Sequence, residues 1–360
     1  MIGLTMTGLS IFAGLFLVNA IFLIWVRAPF QAKSFPRSVV SLLSVPTRWL
    51  YPDTGRSNSA NDIALIGDSY VEGDGDGYSI SGDYDYSVGH HLHKKTSLPF
   101  GVYAASGTYL PTSMSFFEAG MQGKLWPLFD RRPLADRPAS IWLFFYEGND
   151  LDDFIAARDS GHPSVSDSLP WRVKLSPMRF YLQRRWMLRN SAPMTAHPSE
   201  ALVNEVCTDN GCELLPRLQS ASPTLAPREI EEAIGFIAMS VMEFARRHEG
   251  SSICFFYIPS PATIYALKTT ESFDVSSGDV INVKKEDNAK KSLVIRSGFK
   301  HRFAGSGLVM IDLTEKLQQF AGANVLHGSV DADHFNSFGY EAFADAVLDQ
   351  GEQCLPDRSN

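Results

Sequence analysis

The residues Ile63-Ala64-Leu65-Ile66-Gly67-Asp68-Ser69-Tyr70-Val71-Glu72-Gly73 decide how the chain is read. A short apolar run stops at Gly-Asp-Ser, and the polar, glycine-rich residues behind it cannot prolong a strand. In open α/β sheets the carboxyl ends of the strands face the ligand crevice, so a serine just past such a strand stands where a nucleophile would. Turns of Gly, Asp and Ser also end many strands that carry no chemistry. The meaning of Ser69 therefore depends on whether the rest of the chain supplies a base, a group to orient it and donors for a developing oxyanion.

Outward from this stretch, short apolar runs bounded by turn residues predict strands at about 62–66, 100–104, 140–146, 252–258 and 307–312. The clearest helix runs from Pro227 to His248, where Ile230, Ala233, Ile234, Ile237, Val241, Phe244 and Ala245 recur on one face and Gly250 follows as a stop. Strands alternating with helices predict a parallel, doubly wound α/β sheet. A globular body over about 61–350 is expected, with an insertion at about 151–226, which is too long for a plain loop, and a tail at 351–360.

The 360 residues are 44% hydrophobic and 20% charged, an ordinary globular balance. A net charge of −8 argues against nucleic acid, because phosphate binding needs a basic face. The N-terminus is different. Ile2 to Val26 carries no charged side chain and is long enough to cross a hydrocarbon core of about 30 Å, so residues 1–26 read as a transmembrane anchor. A cleaved signal peptide is the rival, but Met1 to Gly8 lacks the basic start it would need. Residues 27–60, broken by Pro29, Pro36, Pro46 and Pro52, read as a juxtamembrane linker. Arg27, Lys33 and Arg37 favour a cytoplasmic body by the positive-inside tendency. Cys207 and Cys212, separated by Thr-Asp-Asn-Gly, would instead suit a bridge in an oxidising compartment, with two unpaired thiols as the alternative. We read the catalytic domain as extracytoplasmic.

Two stretches stand outside the simple alternation. Glu72 to Asp85 approaches a calcium-loop spacing but has its end acids exchanged, so it reads as an acidic lip beside the site. Met178 to Asn190 sets Arg179, Arg184, Arg185 and Arg189 among aromatic and aliphatic residues. It is a basic amphipathic helix, suited to a membrane surface or an anionic polymer, or simply a helix with its apolar stripe in the core.

A serine hydroxyl needs a base, and the base needs an orienting acid. His334 is the best candidate base, within Asp331-Ala332-Asp333-His334-Phe335-Asn336-Ser337-Phe338-Gly339-Tyr340. Asp331 can fold back on its imidazole from the same loop; Asp333 is the second choice, because adjacent side chains point apart. Oxyanion donors can come from Ala105-Ser106-Gly107-Thr108, after the second strand, and from Asn149 in Glu147-Gly148-Asn149-Asp150, after the third.

Taken in order, Gly-Asp-Ser-x-x-x-Gly, a glycine loop, Gly-Asn-Asp and Asp-x-x-His resemble the four blocks of the SGNH (GDSL-type) hydrolase family over about 61–350. The resemblance implies a three-layer α/β/α flavodoxin-like sandwich and a triad of Ser69, His334 and Asp331. It also implies an oxyanion hole made by the backbone N–H groups of Ser69 and Gly107 and the amide of Asn149. The chain departs from the family with Tyr103 where the second block often has Asn, and with Phe335 where Pro often follows His.

His90, His91 and His93 cluster after the acidic lip, but no partner at metal-ligand spacing accompanies them; no metal or cofactor is expected. The function expected is a membrane-anchored serine esterase or acyltransferase acting on acyl esters, O-acetyl esters of a carbohydrate above all. A lipase or thioesterase is the alternative within the family. A non-catalytic glycan-binding or scaffold subunit is the alternative outside it.

Overall fold

The computed structural model describes residues 14, 63–73, 75, 87–104, 108–121, 138–159, 204–265, 272–277, 279–328 and 331–356. Apart from Gly14, the anchor and linker expected at 1–60 lie outside these residues, as do nearly all of the acidic lip, the basic helix at 178–190 and Gly107. Among the described residues no helix is long and apolar enough to cross a membrane.

A five-stranded, wholly parallel sheet is the centre of the molecule. Its strands are β1 (Ile63–Gly67), β2 (Phe100–Ala104), β3 (Ser140–Tyr146), β6 (Ser252–Ile258) and β9 (Val309–Asp312), in the spatial order β2-β1-β3-β6-β9. Counted within the sheet alone this is the order 2-1-3-4-5, the winding of flavodoxin-like sheets, which reverses direction between β1 and β3. The expected strands at 62–66 and 307–312 are thus 63–67 and 309–312. Two antiparallel hairpins, β4 (Asn204–Thr208) with β5 (Gly211–Leu215) and β7 (Ser272–Ser277) with β8 (Asp279–Lys284), had no counterpart in the sequence reading.

Side chains of successive strand residues point to opposite faces, and β3 shows what this does. Every residue of Ser-Ile-Trp-Leu-Phe-Phe-Tyr is buried. Trp142, Phe144 and Tyr146 enter one core, while Ile141, Leu143 and Phe145 enter the other. Burial on both faces is the reason for a continuous apolar run instead of an alternating one. The first core is closed by α2 (Val88–Thr96), the single turn α6 (Pro261–Ile264), α8 (Thr314–Ala323) and α9 (Ser337–Gln350), through Leu92, Ile264, Leu317, Phe343 and Val347. The second is closed by α3 (Leu110–Met121), α4 (Asp150–Asp159), α5 (Pro227–Arg247) and α7 (Lys285–Phe303), through Phe117, Leu151, Ile237 and Phe299.

The helix expected at 227–248 forms as α5. Pro227 opens it, the Glu229 side chain accepts from the Ala226 N–H at 2.8 Å, and the whole expected apolar face except half-buried Ala245 is buried. The expected insertion begins in regular structure. Leu151, Phe154 and Ile155 of α4 belong to the second core, so the first turns after Asn149 are part of the sheet's helical layer.

All four cysteines are paired. Cys207 and Cys212 face each other across the β4–β5 hairpin and are bridged. Cys254, in the middle of β6, is bridged to Cys354 in a short 3-10 turn, Glu352–Cys354. The carbonyl of Cys354 also accepts from Ser140 Oγ at 2.8 Å, which fixes this turn against the start of β3.

Candidate active site

The site lies at the carboxyl edge of the sheet, where β1 gives way to α1 (Ser69–Glu72). The turn between them is tight. A Cβ on Gly67 would stand 2.4 Å from Val71 Cγ2 and 3.2 Å from Phe144 Cβ, so only glycine lets the strand run this close to the helix it feeds. Asp68 caps α1, its Oδ1 accepting from the Tyr70 N–H at 3.0 Å. On the other side Ser113 Oγ of α3 donates to the Gly67 carbonyl at 2.6 Å. Ser69 is left at the helix start, 4% exposed.

The structure brings Ser69, His334 and Asp331 together. His334 Nε2 is 2.8 Å from Ser69 Oγ, and His334 Nδ1 is 2.9 and 3.0 Å from the two carboxylate oxygens of Asp331. Asp333 takes a different part. Its N–H donates to Asp331 Oδ1 at 3.2 Å, and its carbonyl accepts from the Tyr70 phenol. The segment carrying the acid and base is irregular and held at both ends. His327 and Phe335 form an isolated bridge, and the Asn336 N–H donates to the Leu326 carbonyl at 2.8 Å. The Asn336 amide donates to the carbonyls of Val325 and His327, both at 3.0 Å, while its oxygen caps α9 by accepting from the Gly339 N–H. A Cβ on Gly339 would fall 2.0 Å from the Leu326 carbonyl oxygen, so α9 can start here only with glycine.

Of the expected oxyanion donors, Ser69 opens α1 with its N–H free of any helical acceptor. Asn149 lies in the turn after β3, the neighbour of β1, and its Oδ1 is buried without a hydrogen-bond partner among the described residues. The acid next to Asn149 serves the structure. Asp150 accepts from the Leu110 N–H at 3.2 Å and the Tyr146 N–H at 2.9 Å, tying α3 to the end of β3. Burial pushes its carboxyl well up, with Asp68 nearby adding to the rise. Burial also pushes the Asp68 carboxyl up to about 7, against the pull of the Tyr70 N–H and of His334.

The acidic lip is described only at Glu72, Gly73 and Gly75. Gly75 is buried against His334 Cβ and the Phe335 carbonyl, so the chain leaving α1 crosses the base on its way out. The histidines of α2 do not converge. His90 Nδ1 pairs with Ser87 Oγ and His93 Nδ1 with the Leu98 carbonyl, each at 2.7 Å. Glu205, Cys207 and Cys212 lie at metal-ligand distances, but the two sulfurs are joined to each other.

Comparison with known proteins gives no matching family model and no matching curated protein. Among solved structures, the chain is similar to a phospholipase A1 from Streptomyces albidoflavus, at 14% identity and a TM-score of 0.40 over 81% of this chain and 100% of that one. It is similar to an extracellular lipase from Streptomyces rimosus at 15% identity and a TM-score of 0.39, over 81% and 99% of the two chains. An acetyl xylan esterase from Butyrivibrio proteoclasticus gives 10% identity and a TM-score of 0.35, over 81% of this chain and 64% of that one. With likenesses this distant, the functional reading rests on the site itself.

Proposed function

We propose that the chain is a serine esterase or acyltransferase of the SGNH type, with Ser69 as nucleophile, His334 as base and Asp331 as its orienter. The observation that carries this is the continuous pair of contacts from Ser69 Oγ through the imidazole to the Asp331 carboxylate, at 2.8 and 2.9 Å. Asp331 accepts from Nδ1–H, which leaves the Nε2 lone pair aimed at the serine, the tautomer a general base requires.

His334 removes the Ser69 proton as Oγ attacks the ester carbonyl. The tetrahedral oxyanion is met by the Ser69 N–H and, on this reading, by the Gly107 N–H and the Asn149 amide. The intermediate collapses by breaking the bond to the leaving alkoxide, which takes the proton from His334, and the acyl group stays on Oγ. Water or a sugar hydroxyl, deprotonated by the same imidazole, then releases the acid or the new ester and restores the serine. The substrate class we favour is an O-acetyl ester of a carbohydrate. Two disulfides suit an oxidising compartment, in keeping with an extracytoplasmic domain carried by an N-terminal anchor.

The test is Ser69→Ala. Hydrolysis of 4-nitrophenyl acetate is expected to fall about ten-thousand-fold or more, with far-UV circular dichroism unchanged. A fluorophosphonate is expected to label the parent and not the variant. A folded Ser69→Ala protein as active as the parent would end this reading.

A further inference from the structure

Beneath Ser69 and His334 lies a chain of buried polar groups that the reaction does not use. Tyr70, fully buried, places its phenol 3.0 Å from Tyr146 Oη and 3.5 Å from His327 Nε2, and donates to the Asp333 carbonyl. Tyr146 Oη lies 2.5 Å from Gln219 Oε1. Tyr265 Oη accepts the N–H groups of Leu326 and His327, both at 3.0 Å, and lies 2.8 Å from His327 Nδ1.

Counting protons gives the network a direction. Tyr265 Oη has both lone pairs occupied by backbone N–H groups, so its single proton goes to His327 Nδ1. Burial first, and the neighbouring His334 second, hold His327 down to about 3, so its ring is neutral with the remaining proton on Nε2, facing Tyr70. Tyr70 thus accepts a hydrogen bond from His327, and its own hydroxyl proton faces two acceptors, the Asp333 carbonyl and Tyr146 Oη. Turning the Gln219 amide end for end decides only whether Tyr146 donates to Gln219 or to Tyr70. With Tyr146 donating to Tyr70, the Asp333 carbonyl is the one acceptor left to the Tyr70 hydroxyl; with Tyr146 donating to Gln219, Tyr146 Oη is a second acceptor beside it.

The Asp333 carbonyl belongs to the peptide bond that leads into His334. Residues 69–70 and 333–334 are therefore joined at two points, Ser69 Oγ to His334 Nε2 and Tyr70 Oη to the Asp333 carbonyl. Asp331 holds the ring within its own loop, but with Ser69 Oγ alone the loop can pivot about that contact, and the second contact fixes how it approaches the nucleophile turn. We infer that Tyr70 is a positioning residue that registers the acid–base loop against the nucleophile turn. The inference rests on the reading of Ser69 and His334 given above.

Tyr70→Phe removes one oxygen and keeps a ring that packs tilted against Tyr146 at 4.1 Å and meets Phe335 edge-on at 5.0 Å. With 4-nitrophenyl acetate, kcat is expected to fall about 10- to 100-fold while KM stays within about twofold, the pattern of a misaligned base and not of lost binding. Fluorophosphonate labelling should slow by the same factor, and amide hydrogen exchange over residues 331–336 should quicken. Tyr146→Phe leaves the bond to Asp333 in place and should cost less than about threefold in kcat. A Tyr70→Phe protein with the parent's kcat and exchange overturns the inference, as does an equal loss in Tyr146→Phe. If the parent neither turns over ester nor takes the fluorophosphonate, the reading of Ser69 fails, and unchanged or quickened exchange alone then decides whether Tyr70 holds the loop.

Discussion

Ser69 and His334 meet at 2.8 Å but arrive there from different kinds of structure. The serine ends a central strand and opens a helix, so its position follows from the sheet register, one glycine and one cap. The histidine sits in an irregular segment between α8 and α9, and its position follows from side chains: Asn336 spanning the loop, Tyr265 under it and Tyr70 reaching across. Regular backbone builds one half of the site, and a buried polar network builds the other. The difference predicts where each half is fragile.

The largest effect should ignore the difference. If the two halves act as one machine, His334→Ala should cost about as much in kcat as Ser69→Ala, about ten-thousand-fold, and the double variant little more. Steady-state rates on an aryl acetate check this, and additive losses would mean that the two residues do not work together.

Stability comes next and should separate the halves. Gly339→Ala drives a Cβ to 2.0 Å from a backbone carbonyl oxygen, which cannot move without the loop. Gly67→Ala meets a valine methyl first, at 2.4 Å, a side-chain atom and not backbone, so the clash falls on one buried side chain and the short helix carrying it. Denaturant unfolding should show about 3 kcal/mol lost in the first and about 1–2 kcal/mol in the second, within the range for overpacking. The reverse order would break the contrast between backbone-built and side-chain-built halves.

The smallest effect is the most discriminating, because the halves should respond to pH with opposite signs. His327, lowered in the fold to about 3 from an ordinary value near 6.5, binds a proton only when the chain unfolds, so stability falls as pH drops from about 6.5 towards 3. Asp68, raised in the fold to about 7, binds a proton in the fold that the unfolded chain has already lost, so stability is greatest below about 3.8 and falls as pH rises towards 7. Each slope is at most about 1.4 kcal/mol per pH unit, and between about pH 4 and 6.5 they oppose each other. Melting temperatures across that window should therefore give His327→Gln a steeper fall with rising pH than the parent, and Asp68→Asn a steeper rise. Two curves parallel to the parent's would show that neither group is as deeply desolvated as its surroundings imply.

The same contrast explains what was legible in the sequence. β1, β3 and β6 are apolar runs closed by turn residues, and α5 repeats its apolar residues at helical spacing, so local pattern suffices for each. Ser69, Asp331 and His334 stand in short motifs whose order along the chain can be read directly. The network beneath them cannot be read this way, because Tyr70 finds Tyr146 76 positions on and His327 257 positions on. Nothing near any of the three hints at the others. Cys254 was hidden for a related reason, since a cysteine inside Ile-Cys-Phe-Phe-Tyr reads as one more apolar strand residue until its partner 100 positions later is known. The helix α7 was obscured by its charge, with Ile295, Phe299 and Phe303 diluted among lysines and acids.

The Cys254–Cys354 bridge encloses β9, α8, the loop with Asp331 and His334, and α9, and it leaves Ser69 outside. A chain is made from its N-terminus, so the turn bearing Ser69 and the strands on either side of it exist well before Cys354 does. The cross-link must wait for the last turn of α9 to be synthesised and docked against β6. On the reading proposed here, the nucleophile is in place in the growing chain before the base that activates it, and the cross-link closes around the base-bearing segment only once Cys354 has docked against β6.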